Sequence, residues 1–80
     1  MWYEAQRHGL GIEFALELDA AIERAAEFPE AYAMRHREAR RVLLRRFPYA
    51  VYFVYENGVV EVFAVLDQRR DPLLWQSRVP

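Results

Sequence analysis

Tyr49-Ala-Val-Tyr-Phe-Val-Tyr-Glu-Asn-Gly-Val-Val-Glu-Val-Phe-Ala-Val-Leu-Asp67 decides the fold. Two runs rich in β-branched and aromatic residues flank Asn57-Gly58. That dipeptide suits a two-residue type I′ turn, which needs positive φ at both central positions. The reading is an antiparallel hairpin, Tyr49 to Glu56 paired with Val59 to Asp67. Counting out from the turn sets Glu56 opposite Val59, Tyr55 opposite Val60, Phe53 opposite Val62 and Val51 opposite Ala64. With Leu66 these make one apolar face, expected to meet a helix. The other face carries Val54 opposite Glu61, Tyr52 opposite Phe63 and Ala50 opposite Val65. An antiparallel sheet usually keeps one face polar and wet. This second apolar face points to a covering partner or a missing piece of the fold, or else to a Tyr–Phe cross-strand pair on a solvated face.

Upstream of the hairpin, Arg40 to Phe47 reads as another strand, closed by Pro48. Further back, residues 12–28 set Phe14, Leu18, Ala21, Ile22 and Ala25 on one stripe at spacings of three and four. Glu13, Glu17, Glu23, Arg24 and Glu27 lie mostly on the other side, so this is an amphipathic helix, stopped near Phe28 by Pro29. His8-Gly9-Leu10-Gly11 reads as a tight connection before it. Met1 to Arg7 has room for a helix of under two turns, packed through Trp2 and Tyr3. Pro29 to Arg37 reads as an irregular connection holding at most one helical turn. After the hairpin, Asp71-Pro72 turns the chain so that Leu73, Leu74 and Trp75 can pack back on the body. The expected fold is α+β: a helical hairpin, short first helix and long second, on a three-stranded antiparallel sheet, in one domain over 1–80.

Eighty residues suffice for one core and no second. No run is long and apolar enough to span a bilayer, and the N-terminus has no signal-peptide pattern, so a cytoplasmic protein is expected. With no cysteine there is no disulfide or thiolate chemistry. His8 and His36 lack companions at ligand spacing, and no glycine-rich phosphate loop is present. No metal or cofactor is expected.

The net charge of −1 hides a division. Residues 1–34 hold seven acids against two arginines, and residues 35–80 nine arginines against five acids. Such an asymmetry steers association. All eleven basic residues are arginine. Arginine holds anions through a fixed fork of donors, but it does not act as a base.

Three arginine doublets border the strands: Arg40-Arg41, Arg45-Arg46 and Arg69-Arg70. Neighbours in a strand point to opposite faces, so Arg41 and Arg45 share one side, and Arg40 and Arg46 the other. The off-side arginines are expected to pair with helix acids such as Glu23 or Glu27. Arg41, Arg45, Arg69 and Arg70 then form a patch for an acidic segment, a target protein or RNA phosphates, with Tyr52 and Phe63 as the accompanying apolar contact. The bland alternative is a solvated rim with surface ion pairs, each worth under about 1 kcal/mol. For catalysis the candidates are Asp67, Tyr49, Glu38 and His36, with Arg45 and Arg69 able to stabilise negative charge. None has a spacing that compels the role. His36 also reads as a solvated residue of a basic connection, and Glu38 as an offset to its arginine neighbours.

Trp2 to Gly11, Glu13-Phe14, Ala20 to Arg24, Pro29 to Tyr32, Arg40 to Tyr49 and Gln68 to Trp75, taken in order, resemble the RelE/ParE toxin superfamily. These are the toxins of type II toxin–antitoxin modules, also called plasmid-stabilisation proteins. The resemblance implies growth inhibition and a cognate antitoxin partner. In the ParE branch it implies binding to DNA gyrase, and in the RelE branch ribosome-dependent cleavage of mRNA. The latter uses a basic cluster, often with lysines, and a general acid/base near the 2′-hydroxyl. Two departures stand out. Relatives usually start with an extra strand and a longer first helix, so this chain reads as N-terminally truncated. An exposed sheet edge or truncated helix would then favour a homodimer, an aggregation-prone monomer or obligate dependence on a partner. Asp67 also stands where many relatives carry a histidine ahead of Gln68-Arg69-Arg70, and an ordinary aspartate at neutral pH is a base only. The expectation leans away from an enzyme and toward a binding toxin. An mRNA endoribonuclease and a decayed remnant are the alternatives.

Overall fold

In the computed structural model, residues 9–80 are described. The expected first helix, with Trp2, Tyr3 and His8, lies outside them. Helix α1 spans Leu10–Glu27, a short 3₁₀ turn Pro29–Ala31 follows, and four strands come next: β1 Met34–His36, β2 Ala39–Leu43, β3 Tyr49–Glu56 and β4 Val59–Asp67. A single-turn helix, α2 (Leu73–Gln76), follows the last strand. The strands form one antiparallel sheet in the order β1-β2-β3-β4. The architecture is α+β as expected, with four strands rather than three.

Gly9, at φ 82°, starts α1, and its carbonyl accepts from Ile12 and Glu13. Leu10 and Gly11 therefore belong to the helix, not to a connection before it. The predicted stripe does the packing: Phe14, Ala21 and Ala25 are buried, and Leu18 and Ile22 pack beside them. They cover the sheet face that carries Val42, Val51 and Phe53. Phe14 meets Phe47 at 5.2 Å and Tyr49 at 5.1 Å, both edge to face, and Tyr32 meets Phe53 in the same way. Such pairs add about 0.5–1.5 kcal/mol each beyond the area they bury.

The missed strand, β1, is three residues long and joins β2 through a two-residue turn in which Arg37 takes φ 53°. Met-Arg-His has no alternating pattern to announce a strand, and it pairs on one side only. Strand β2 is shorter than expected. It ends at Leu43, and Arg45 and Arg46 lie in the following bend. Strand alternation does not govern that doublet.

The hairpin strands have the predicted bounds, with Asn57 at φ 53° and Gly58 at 77°. Pairing follows expectation from Glu56↔Val59 to Phe53↔Val62, then shifts: Tyr52 faces Ala64, Val51 faces Val65 and Ala50 faces Leu66. Phe63 is the extra residue of a bulge, which puts two residues opposite one and reverses the alternation beyond it. The expected pairs Val51–Ala64, Tyr52–Phe63 and Ala50–Val65 are corrected accordingly. Val65 moves to the helix face, while Ala64 and Leu66 move to the second face.

The second face is covered by the chain itself. Trp75 of α2 lies flat on Tyr52, with ring centroids 4.6 Å apart and 15° between planes, and Val79 packs beside it. With Ala39, Ala50 and Ala64 they form a second small core.

Candidate functional site

The charged side chains sort themselves by what each can reach. Arg40 faces the helix side, where its guanidinium donates to the Tyr32 carbonyl at 2.7 Å. Arg41, opposite Tyr52, is on the second face. Arg24, on α1, donates to the Leu43 carbonyl at 2.8 Å and ties the helix to the end of β2. The backbone N–H groups of Arg45 and Arg46 both donate to Glu17, at 2.8 and 3.2 Å. These donors, Arg46 first, hold the Glu17 carboxyl below its ordinary range. The Arg46 side chain also stands 3.7 Å from Glu17. The helix acid that meets this doublet is therefore Glu17, not Glu23 or Glu27.

Asp67 is gripped from one side. The Arg69 side chain donates to both carboxylate oxygens, at 2.9 and 2.6 Å, and the Arg69 backbone N–H adds a third bond at 2.9 Å. The Arg69 side chain is the main cause of a carboxyl pKa lowered to about 2. So held, Asp67 is a weaker base than a free aspartate, and Arg69 is committed to it. After this turn, Asp71 accepts from the Leu73 N–H at 3.0 Å and sets the start of α2.

Two adjoining hollows collect most of the remaining arginines. One, of about 350 Å³, lies between β1–β2 and α2, with Arg35, Arg41, Arg70, Gln68 and Gln76 on its walls and Trp75 beneath. The other, of about 540 Å³, lies between α1 and β2, walled by Arg24, Arg35, Arg41 and Arg45. They share Ala33, Arg35 and Arg41, and among the described residues no carboxylate lines either. The structure thus brings together Arg41, Arg45 and Arg70 of the expected patch and leaves Arg69 outside it. Arg24 and Arg35 join them unforeseen. Arg35 belongs to the strand whose pattern is illegible, and Arg24 follows from helix position only once α1 is docked against β2.

The other expected contacts are placed differently. Tyr52 is 1% exposed beneath Trp75, and Phe63 is half-buried against the same cluster, so the expected aromatic contact surface is corrected to an internal core. Tyr49 packs on Phe14 on the opposite, helix side of the sheet. His36 meets the edge of Trp75 at 6.0 Å. Glu38 is exposed in the β1–β2 turn. Among the described residues no three His, Asp or Glu side chains gather as a metal site, and no helix is long and apolar enough to cross a membrane.

Chemically, the groove is a set of fixed cations with amide donors. It can hold anions, and its described lining supplies no carboxylate to take a proton. Compared with known proteins, the chain is matched over residues 2–72 by the family model described as ParE toxin of type II toxin-antitoxin system, parDE. No curated protein and no solved structure matches.

Proposed function

Since the chain belongs to the ParE toxin family of type II toxin–antitoxin systems, we propose that it arrests growth by binding a target protein, DNA gyrase in the first instance, rather than by cutting RNA. A cognate antitoxin partner follows from the family, and in this reading it neutralises the toxin by binding it. One observation carries the choice between binding and cleavage. Among the described residues the arginine groove has no carboxylate in its lining, and the nearby catalytic candidate Asp67 is tied to Arg69 with its pKa lowered to about 2. Arginines can stabilise charge in a phosphoryl transition state, but transfer of the 2′-hydroxyl proton needs a group that can accept it.

The test is expression in cells with and without a co-expressed cognate antitoxin, followed by two assays. The expected result is arrest relieved by the antitoxin, with loss of supercoiling by purified gyrase and intact message in primer extension. Discrete message cleavage with unaffected supercoiling would reject the binding mechanism in favour of the nuclease. Unimpeded growth would make the chain a remnant.

A further inference from the structure

A third hollow, of about 390 Å³, opens where α1 ends, bounded by Glu27 and Phe28 of that end, by Pro29, Glu30 and Ala31 of the 3₁₀ turn, and by Tyr55 of β3. It shares only Ala31 with the arginine hollows. Its charges are two carboxylates, and no arginine or amide side chain lines it among the described residues. We propose that it docks an arginine side chain of a partner protein. The guanidinium lies on the Phe28 ring and bonds to Glu27 or Glu30, and an adjacent apolar residue of the partner packs on Pro29 and Ala31. Such a contact is separate from growth arrest and does not depend on which target the toxin reading assigns.

Three features choose this occupant. Phe28 is 66% exposed, and among the described residues its ring meets no other ring, so an aromatic face stands open at the hollow. Tyr55, half-buried opposite Val60, adds a second ring to the lining. An aromatic face attracts a cation, and a planar guanidinium also stacks on it. Glu27 and Glu30 are both exposed, and among the described residues neither pairs with an arginine or accepts from a donor. An arginine fork matches a carboxylate with paired hydrogen bonds. The helix end adds potential of the same sign. Pro29 has no N–H to give the Ala25 carbonyl four residues back, and the negative end of the α1 dipole lies beside the two carboxylates. Ring, carboxylates and helix end thus favour a cation carried on a flat, weakly hydrated body. A hard metal ion asks for something else, several oxygen ligands gathered around it. Among the described residues no three His, Asp or Glu side chains come together. A lysine ammonium holds its water more tightly and has no plane to stack.

The experiment is fluorescence anisotropy on the full chain with two labelled peptides of equal length and charge, one of Arg-Leu-Ala repeats and one of Lys-Leu-Ala repeats. The variants are Phe28→Ala, which leaves the charge unchanged, Glu30→Gln, and Asp19→Asn, which removes one charge from α1 outside the hollow; all three side chains are exposed. Far-UV circular dichroism and thermal melting confirm that each variant folds. The arginine peptide is expected to bind, and more tightly than the lysine peptide. Phe28→Ala and Glu30→Gln should each weaken it about threefold, as for one exposed cation–π contact or ion pair. Asp19→Asn should leave it unchanged. No binding, a silent Phe28→Ala, an equal loss in Asp19→Asn, or equal binding of the lysine peptide would each overturn the proposal. Sedimentation velocity on the chain alone tests the competing occupant, an arginine of a second copy. A monomer supports the partner protein, and a concentration-dependent dimer lost in Phe28→Ala would overturn it in favour of self-association. Growth arrest is a separate readout. A chain that arrests growth but ignores the arginine peptide keeps the toxin reading and loses this site. A chain that binds the peptide through Phe28 and Glu30 without arresting growth does the reverse.

Discussion

A carboxylate held through both oxygens by a guanidinium keeps its charge into acid, and Arg69 holds Asp67 in this way. The folded pKa is lowered from 3.8 to about 2, so as pH falls the unfolded chain takes up the proton first. The contribution to stability is complete above the unfolded value and is lost as pH falls through the folded one. Glu17, also lowered, acts in the same direction from its ordinary value of 4.5. The melting temperature should therefore drop between pH 3.8 and about 2, and Asp67→Asn should flatten that drop while lowering the melting temperature at neutral pH. If Asp67→Asn leaves both unchanged, the clamp has no thermodynamic role. At this scale the sequence was legible in part. Asp67 stood out as an unusual residue before Gln68-Arg69-Arg70, but its partner did not. Contact between residues 67 and 69 depends on the turn that closes β4, and neither residue type announces that turn. Arg45 and Arg46 show the same limit, because their orientation is set by two backbone bonds to Glu17 from a distant helix.

Turns and bulges decide what the strands present. Positive φ at Asn57 and Gly58 closes the hairpin as its sequence requires. A Cβ added at Gly58 would meet nothing within 4 Å. The cost of Gly58→Ala is then purely that of the backbone conformation, about 1–2 kcal/mol in urea unfolding. Phe63 has the larger consequence. Before it, β4 feeds the helix-facing core through Val60 and Val62, and after it Ala64 and Leu66 feed the second core. Deleting Phe63 should leave Val62 opposite Phe53 and Ala64 opposite Tyr52 while making the ladder continuous. Cross-strand nuclear Overhauser contacts for those two pairs would show it, and their absence would mean that the bulge fixes register rather than follows it. Strand existence and bounds were legible here because apolar residues and an Asn-Gly turn mark them. The bulge was not, since Val62 to Leu66 is an unbroken apolar run that does not mark where side chains change face, and only the competing demands of two cores make one residue extra. Strand β1 escaped for a simpler reason, being three residues of polar-flanked sequence paired on one edge.

At the scale of the whole molecule, one sheet separates two cores. Helix α1 covers one face, and the segment after Pro72 covers the other with one large ring. Trp75 is 7% exposed and supplies the only tryptophan contact among the described residues of that second core. Trp75→Ala should cost about 3–5 kcal/mol by urea denaturation, as for other buried aromatic truncations. A domain this small is expected to hold only about 5–15 kcal/mol in total, so the variant should sit close to unfolding. Trp75→Phe should recover most of the loss, and equal effects from both substitutions would show that ring area is not what matters. The apolar second face was plain from the sequence, and Leu73, Leu74 and Trp75 were expected to pack back on the body, but that segment was not matched to this face. A partner, a missing piece of the fold or a solvated Tyr–Phe pair were the expected alternatives, and Trp75 with Val79 covers it instead, while Leu73 stays exposed.

The stack of Trp75 on Tyr52 also makes the molecule its own optical probe. Two rings fixed in a chiral setting give a near-ultraviolet circular dichroism signal that vanishes when specific packing loosens, even if strands and helix persist. Because α2 forms one wall of the arginine groove, that signal would register any occupant that lifts or reseats the segment. Trp2→Phe leaves Trp75 as the sole indole, so a partner's arrival could be followed on the unlabelled chain, separately from any change in its secondary structure.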